Sequence, residues 1–218
     1  MRFLFLALFA LFSLIHLYYC FFNDRKGRIR TKPFLIITLF VFYLLSAQEI
    51  SCLLAAALLA SWTGDILLIG RGEKWLVAGG GFFIAAHVLL MLLFLRDVRT
   101  AGQPWAILAV ILIIYVASAY LVIKSISDRA PRVIASALFM YLLINEMMNM
   151  FALMRMITLG TAGSALVFVG AVFFFLSDCA LFILLYHRDP KIVYRRNFTV
   201  MITYLLAEFL ITVGNLIG

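Results

Sequence analysis

Charge is scarce in this sequence. Only 13% of its 218 residues are Asp, Glu, Lys or Arg, while 66% are hydrophobic and the mean hydropathy is +1.12. Soluble domains are about half apolar and a quarter charged, so a soluble globular domain is excluded and the chain reads as an integral membrane protein. Cysteine is scarce too. Cys20, Cys52 and Cys179 lie in apolar segments at no metal-like spacing, which argues against a disulfide framework or a zinc site and for three buried small hydrophobes. No HExxH, GxSxG, Cys–His pair or Walker pattern occurs, so metalloprotease, serine hydrolase and ATPase readings have no support. "VAGGGFF" has no preceding strand and no Lys-Ser/Thr; close helix packing accounts for it better than a phosphate loop. With no soluble insertion or low-complexity linker, residues 1–218 read as a single transmembrane domain.

What the sequence has instead is long apolar runs. "MRFLFLALFALFSLIHLYYC" superficially resembles a signal peptide, but it lacks a small-x-small cleavage site and carries Tyr18 and Tyr19 before Cys20. It is taken as the first transmembrane helix. Crossing the hydrocarbon core needs about 20 apolar residues. That length predicts eight spans, at about 3–22, 33–48, 50–69, 76–95, 104–123, 132–154, 161–185 and 198–217. Pro33, Pro104 and Pro131 then sit at helix starts, where a missing amide hydrogen is tolerated.

The formal net charge is +8, carried in short loops. The loops after the odd-numbered spans hold 14 of the 18 Lys and Arg residues. The positive-inside rule places those loops in the cytoplasm and both termini outside. The basic loops thus read as topology signals and headgroup contacts rather than a nucleic-acid surface. Short loops without a targeting extension suit a bacterial inner membrane, with the endoplasmic reticulum as the alternative.

Five carboxylates fall in or at the edge of spans: Glu49, Asp65, Glu146, Asp178 and Glu208. On these boundaries no Lys or Arg lies inside a span, and Lys32 and Arg155 are only at ends. An Asp at the middle of a membrane helix costs about 2.5–3.5 kcal/mol. Without a cation, such a group must be protonated, hydrogen-bonded to neutral partners or open to water. Asp65 is therefore a candidate proton donor. Glu49 reads as an interfacial carboxylate. Glu208, one turn after Tyr204, is divided between structural hydrogen bonding and a site role. Glu146 lies in "YLLINEMMNM", where Asn145 and Asn149 share a face that Tyr141 extends; this is interhelical polar glue or a cavity lining. Met147, Met148 and Met150 read as packing. His16 and His87 read first as hydrogen-bonded core residues.

"GDILL" and "SDCAL" share a small–Asp–x–x–Leu pattern on helices three and seven, which run in the same direction. Four helices separate them, so a four-plus-four parallel repeat is possible. Both aspartates fall within about 5–12 Å of the cytoplasmic end at 1.5 Å per residue. Ser61 precedes Asp65 by one turn and Ser177 adjoins Asp178. Small Gly64 and Ser177 would allow close helix approach and bring the two carboxyls together.

"TKPFLIITL", "SWTGDILLI", "FIAAHVLLMLLF" and "GAVFFFLSDCALFI", in this order across essentially the whole chain, resemble the YhhN-type lysoplasmalogenases. The resemblance implies eight spans, hydrolysis of the vinyl ether bond of lysoplasmalogens and no metal or organic cofactor. Asp65 and Asp178 fall on the family's motif aspartates. The implied partners are a lysophospholipid within the bilayer and water, with no nucleic acid and no obligate protein partner. Cleavage of a vinyl ether begins with protonation of the alkene carbon; water then adds to the oxocarbenium-like centre, and the hemiacetal collapses to aldehyde and alcohol. Two carboxyls in different environments suit that sequence, as in glycosidases. Which one is acid stays open at this level; greater depth favours Asp178. A basic residue at the cytoplasmic rim would hold the phosphate, with Lys32 the first choice and other loop cations the alternative. A proton-coupled transporter or lipid flippase would also carry unpaired intramembrane carboxylates. A non-catalytic lipid-binding subunit is the third reading.

Overall fold

The computed structural model describes Met1–Gly218, apart from the side chain of Pro190. The described residues form eight α-helices and no strand. These are α1 (Arg2–Phe21), α2 (Arg25–Ser46), α3 (Cys52–Leu67), α4 (Glu73–Leu95), α5 (Trp105–Ile126), α6 (Arg132–Leu159), α7 (Ala162–Tyr186) and α8 (Asn197–Ile217). A short 3-10 turn, Pro190–Ile192, precedes α8. Seven helices are long and apolar enough to cross a membrane. The eighth, α3, is apolar but only 16 residues long, about 24 Å at 1.5 Å per residue. The protein is an integral helical membrane protein.

Two helices, α2 and α6, exceed their sequence-based boundaries by more than a turn, and both differences bring a cation into ion-pair contact. Asp24 caps α2, its Oδ1 accepting from the backbone amides of Lys26 (2.9 Å) and Gly27 (3.2 Å). This satisfies amides that a helix N-terminus otherwise leaves unpaired. Helix formation therefore starts at Arg25 rather than at 33, and Lys32 lies two turns inside α2. Pro33 sits inside the helix instead of opening it, and its carbonyl accepts from Trp62 Nε1 of α3 at 2.8 Å. At the opposite end, α6 runs on to Leu159 and stops at Gly160, whose φ of +63° suits glycine. Arg155 is thus within α6 and buried. Its Nε donates to Asp97 Oδ2 at 2.7 Å and its Nη1 to Asn215 Oδ1 at 3.0 Å, tying α6 to the α4–α5 connection and α8.

Consecutive helices pack together except α4 and α5; α4 packs on α6 instead, and α8 also contacts α1 and α2. α3 lies between α2 and α4, and α7 contacts α5, α6 and α8, so α3 and α7 do not pack directly on each other. The proposed close approach through Gly64 and Ser177 is therefore corrected. Gly64 faces α4, where an added Cβ would lie 2.9 Å from the Phe83 ring and 3.1 Å from the Gly79 carbonyl. Ser177 Oγ donates to the Val200 carbonyl of α8 at 3.0 Å. The glycine run contributes one packing residue, Gly79; Gly80 and Gly81 face open space. Cys20 and Cys179 are buried, but Cys52 is exposed at the start of α3, so only two of the three cysteines are core.

Candidate functional site

A cavity of about 510 Å³ opens between the α2–α3–α4 and α6–α7–α8 groups, within the range of small-molecule sites. Its lining includes Lys32 near the start of α2, Gly70 and Gly72 after α3, Pro131 before α6 and Asn197 at the start of α8. All of these lie at the end of the bundle that carries 14 of the 18 basic residues. Asp65 and Asp178 both line it, as do Ser177 and Tyr204. Phe83 and Tyr204, edge to face with centroids 5.8 Å apart, add an aromatic wall.

The two aspartates have different surroundings. Asp65 is buried near the end of α3. Lys32 Nζ lies 3.0 Å from its Oδ1, and the Tyr204 hydroxyl donates to its Oδ2 at 2.9 Å. The expectation that Asp65 lacks a cation is therefore overturned, because the two extra turns of α2 carry Lys32 to it. That same pairing engages Lys32, the first choice for a phosphate contact, with a carboxylate.

Asp178 has no Lys or Arg partner within salt-bridge distance among the described residues. Its Oδ2 accepts from Asn145 Nδ2 at 2.6 Å. His87 Nε2 is 3.6 Å away, beyond hydrogen-bond reach, and Tyr141 stands beside the carboxyl. A directional chain stands behind this contact. Tyr115 of α5 donates its hydroxyl to Asn149 Oδ1 (3.1 Å), and Asn149 Nδ2 donates to Asn145 Oδ1 (2.8 Å). With its oxygen so engaged, Asn145 must present its amide hydrogens to Asp178 and, at 3.3 Å, to His87 Nε2. His87 Nε2 then accepts, which puts the ring proton on Nδ1, a buried atom with no partner.

Other residues named from the sequence lie behind the cavity or away from it. Tyr141, Asn145, Asn149 and His87 are buried behind Asp178. Ser61 and Tyr204 stand beside the buried Glu208, whose Oε1 has no hydrogen-bond partner; neither has Ser61 Oγ. Glu146 is 1% exposed and both its carboxyl oxygens lack partners. Glu49 is exposed in the α2–α3 connection, apart from the site. His16 is buried with Nδ1 2.7 Å from Thr31 Oγ1. Among the described residues no group of three or more His, Cys, Asp or Glu could hold a metal ion.

Residues 27–215 match the YhhN family. The chain belongs to the YhhN family. No curated protein and no solved structure matches it. In this YhhN protein the match starts within α2 and ends in α8, so it spans every element that lines the cavity. Sequence reading passed over Tyr115, which lies 34 residues before Asn149 and carries no local signal. Arg25 and Arg28 stood in the sequence only among the loop cations, as topology signals, headgroup contacts and alternatives to Lys32; the structure sets these two apart, because both line a second recess beside the first.

Proposed function

We propose that this YhhN protein is a lysoplasmalogenase, hydrolysing the vinyl ether of a single-chain glycerophospholipid to a fatty aldehyde and a glycerophospho-alcohol. The observation that carries this reading is the pair of unlike aspartates on one cavity: Asp65 with an ammonium counter-ion, Asp178 with neutral partners. A carboxyl beside a cation suits the charged form, and one among neutral groups suits the acid. Asp178 accordingly donates its proton to the alkene carbon, and the ether oxygen shares the resulting positive charge. Asp65, as carboxylate, stabilises that charge and takes a proton from the incoming water. The hemiacetal then loses its hydroxyl proton and the glycerol oxygen gains one as the carbon–oxygen bond between them breaks, releasing aldehyde and alcohol. The proton Asp65 took from water is returned through solvent to Asp178, and no redox partner is needed. Lys32 and Tyr204 keep Asp65 oriented, and the Tyr115–Asn149–Asn145 chain orients Asp178. General acid–base assistance of this kind contributes about 10²–10⁴ in rate.

The eight helices act as eight spans in this reading, with both termini non-cytoplasmic and the cavity mouth cytoplasmic; the basic end of the bundle supports that orientation. A four-plus-four relation is supported by the neighbours of the two aspartates. Asp65 on α3 meets α2 and α8, and Asp178 on α7 meets α6 and α4; shifting by four helices exchanges the two sets. The deciding experiment is aldehyde release from a lysoplasmalogen by the purified protein in detergent. A transporter or flippase would release none, and would instead move labelled lipid across proteoliposomes.

A further inference from the structure

Beside the main cavity lies a smaller recess of about 190 Å³. Lys32, Leu68, Gly70, Asn197 and Met201 line both spaces and form their common wall. The recess adds His16, Arg25 and Arg28 to its lining, and no Asp or Glu. Arg25 and Arg28 are three residues apart on α2 and so share a face. Neither has a salt-bridge partner among the described residues. Arg28 Nε is buried and has no hydrogen-bond partner. The nearest carboxylate in sequence, Asp24, spends its Oδ1 on the α2 cap, and Lys32 is matched by Asp65.

Two unmatched guanidinium groups therefore face a small space next to the proposed reaction site. Positive-inside topology accounts for cations at this end of the bundle. It does not account for two of them lining one recess in which Arg28 Nε has no protein acceptor. Their position in the first turn of α2 is also opposed by the helix dipole, which favours anions there. An anion with several acceptor oxygens answers both, and the forked guanidinium suits phosphoryl oxygens.

We propose that the recess is a phosphoryl-binding subsite in which Arg25 and Arg28 hold the headgroup phosphate of the single-chain lipid. The proposal rests on the functional reading above. The three-carbon glycerol separates the phosphate from the ether oxygen. A phosphate in the recess thus brings that oxygen past the shared Lys32 wall to Asp65, and the hydrocarbon chain extends into the larger cavity.

Binding to the purified protein in detergent tests this with three probes that contain no cleavable vinyl ether. They are an alkyl-ether lysophospholipid, the matching phosphate-free alkylglycerol and inorganic phosphate. Arg25→Gln/Arg28→Gln is expected to weaken the lysophospholipid by about 10- to 100-fold and leave the alkylglycerol unchanged, which also shows that the variant is folded. Arg25→Lys/Arg28→Lys is expected to recover part of the loss. Lys26→Gln/Arg30→Gln, which removes two exposed charges from the same helix, is expected to change nothing. Inorganic phosphate is expected to compete with the lysophospholipid in wild type. The proposal is overturned if the Gln variant weakens both lipids equally or neither. It is equally overturned if inorganic phosphate binds through Arg25 and Arg28 without displacing the lysophospholipid. Phosphate-dependent binding without aldehyde release from a true lysoplasmalogen would leave the subsite standing and remove the hydrolase reading.

Discussion

Lys32 and Asp65 form an ion pair across α2 and α3, with Nζ 3.0 Å from Oδ1. Both side chains are largely buried, at 16% and 3% exposure. Tyr204 closes the arrangement by donating to the second carboxyl oxygen. This relationship separates Asp65 from Asp178, which has only neutral partners, and it underlies the division of roles between them.

The pair itself can be measured. Removing one partner of a buried ion pair strands the other charge and costs about 3–5 kcal/mol. Lys32→Met is expected to destabilise the protein in detergent by about 3 kcal/mol, at the lower end because Lys32 keeps some exposure. Lys32→Met/Asp65→Asn is expected to regain most of that loss, as read by denaturant titration. Simple additivity of the two single changes would refute the coupling.

The roles of the aspartates predict a kinetic signature. Asp178→Asn removes the proton donor while keeping the shape, and is expected to lower kcat by about 10²–10⁴ with little change in KM. Asp65→Asn is expected to lose turnover as well, and to weaken the hold on Lys32. Normal turnover in Asp178→Asn alongside an inactive Asp65→Asn would reverse the assignment.

Asn145 acts through Asp178 rather than on substrate. Asn145→Leu breaks the chain between Asn149 and Asp178 and is expected to reduce kcat about tenfold while leaving KM for the lipid unaltered. Tyr115→Phe, one link further back, is expected to give a smaller loss in the same direction. A rise in KM without a fall in kcat would point to substrate contact instead.

Helix packing around Asp65 gives a stability contrast within three glycines and their neighbour. Gly64→Ala forces its Cβ against Phe83 and the Gly79 carbonyl, and overpacking of this kind costs about 1–3 kcal/mol. Gly80→Ala and Gly81→Ala meet nothing within 4 Å and are expected to be neutral or slightly stabilising. Thermal unfolding in detergent distinguishes them, and equal destabilisation at all three positions would contradict the packing.

The length of the apolar runs and the charge between them carried the helix count, most boundaries and the interest of Asp65 and Asp178, because a membrane span has a minimum length and a buried carboxylate is costly wherever it falls. They misplaced the start of α2. The segment "RKGRIRTK" is too polar to look like a span, yet Asp24 caps it and it continues the same helix above the apolar part. That one displacement concealed the Lys32–Asp65 pair. The Tyr115–Asn149–Asn145–Asp178 chain was hidden for a different reason: its members come from three helices, and no short-range pattern registers contacts 33 or 34 residues apart.

The sequence alone determined that this protein is a helical membrane protein with costly acidic groups in apolar segments, since hydropathy and length act locally along the chain. Which acid has a cation, which has an amide, and which arginines face a recess were decided only by tertiary structure. Those properties depend on the helix starts, on which helices become neighbours and on which faces they turn to a common cavity.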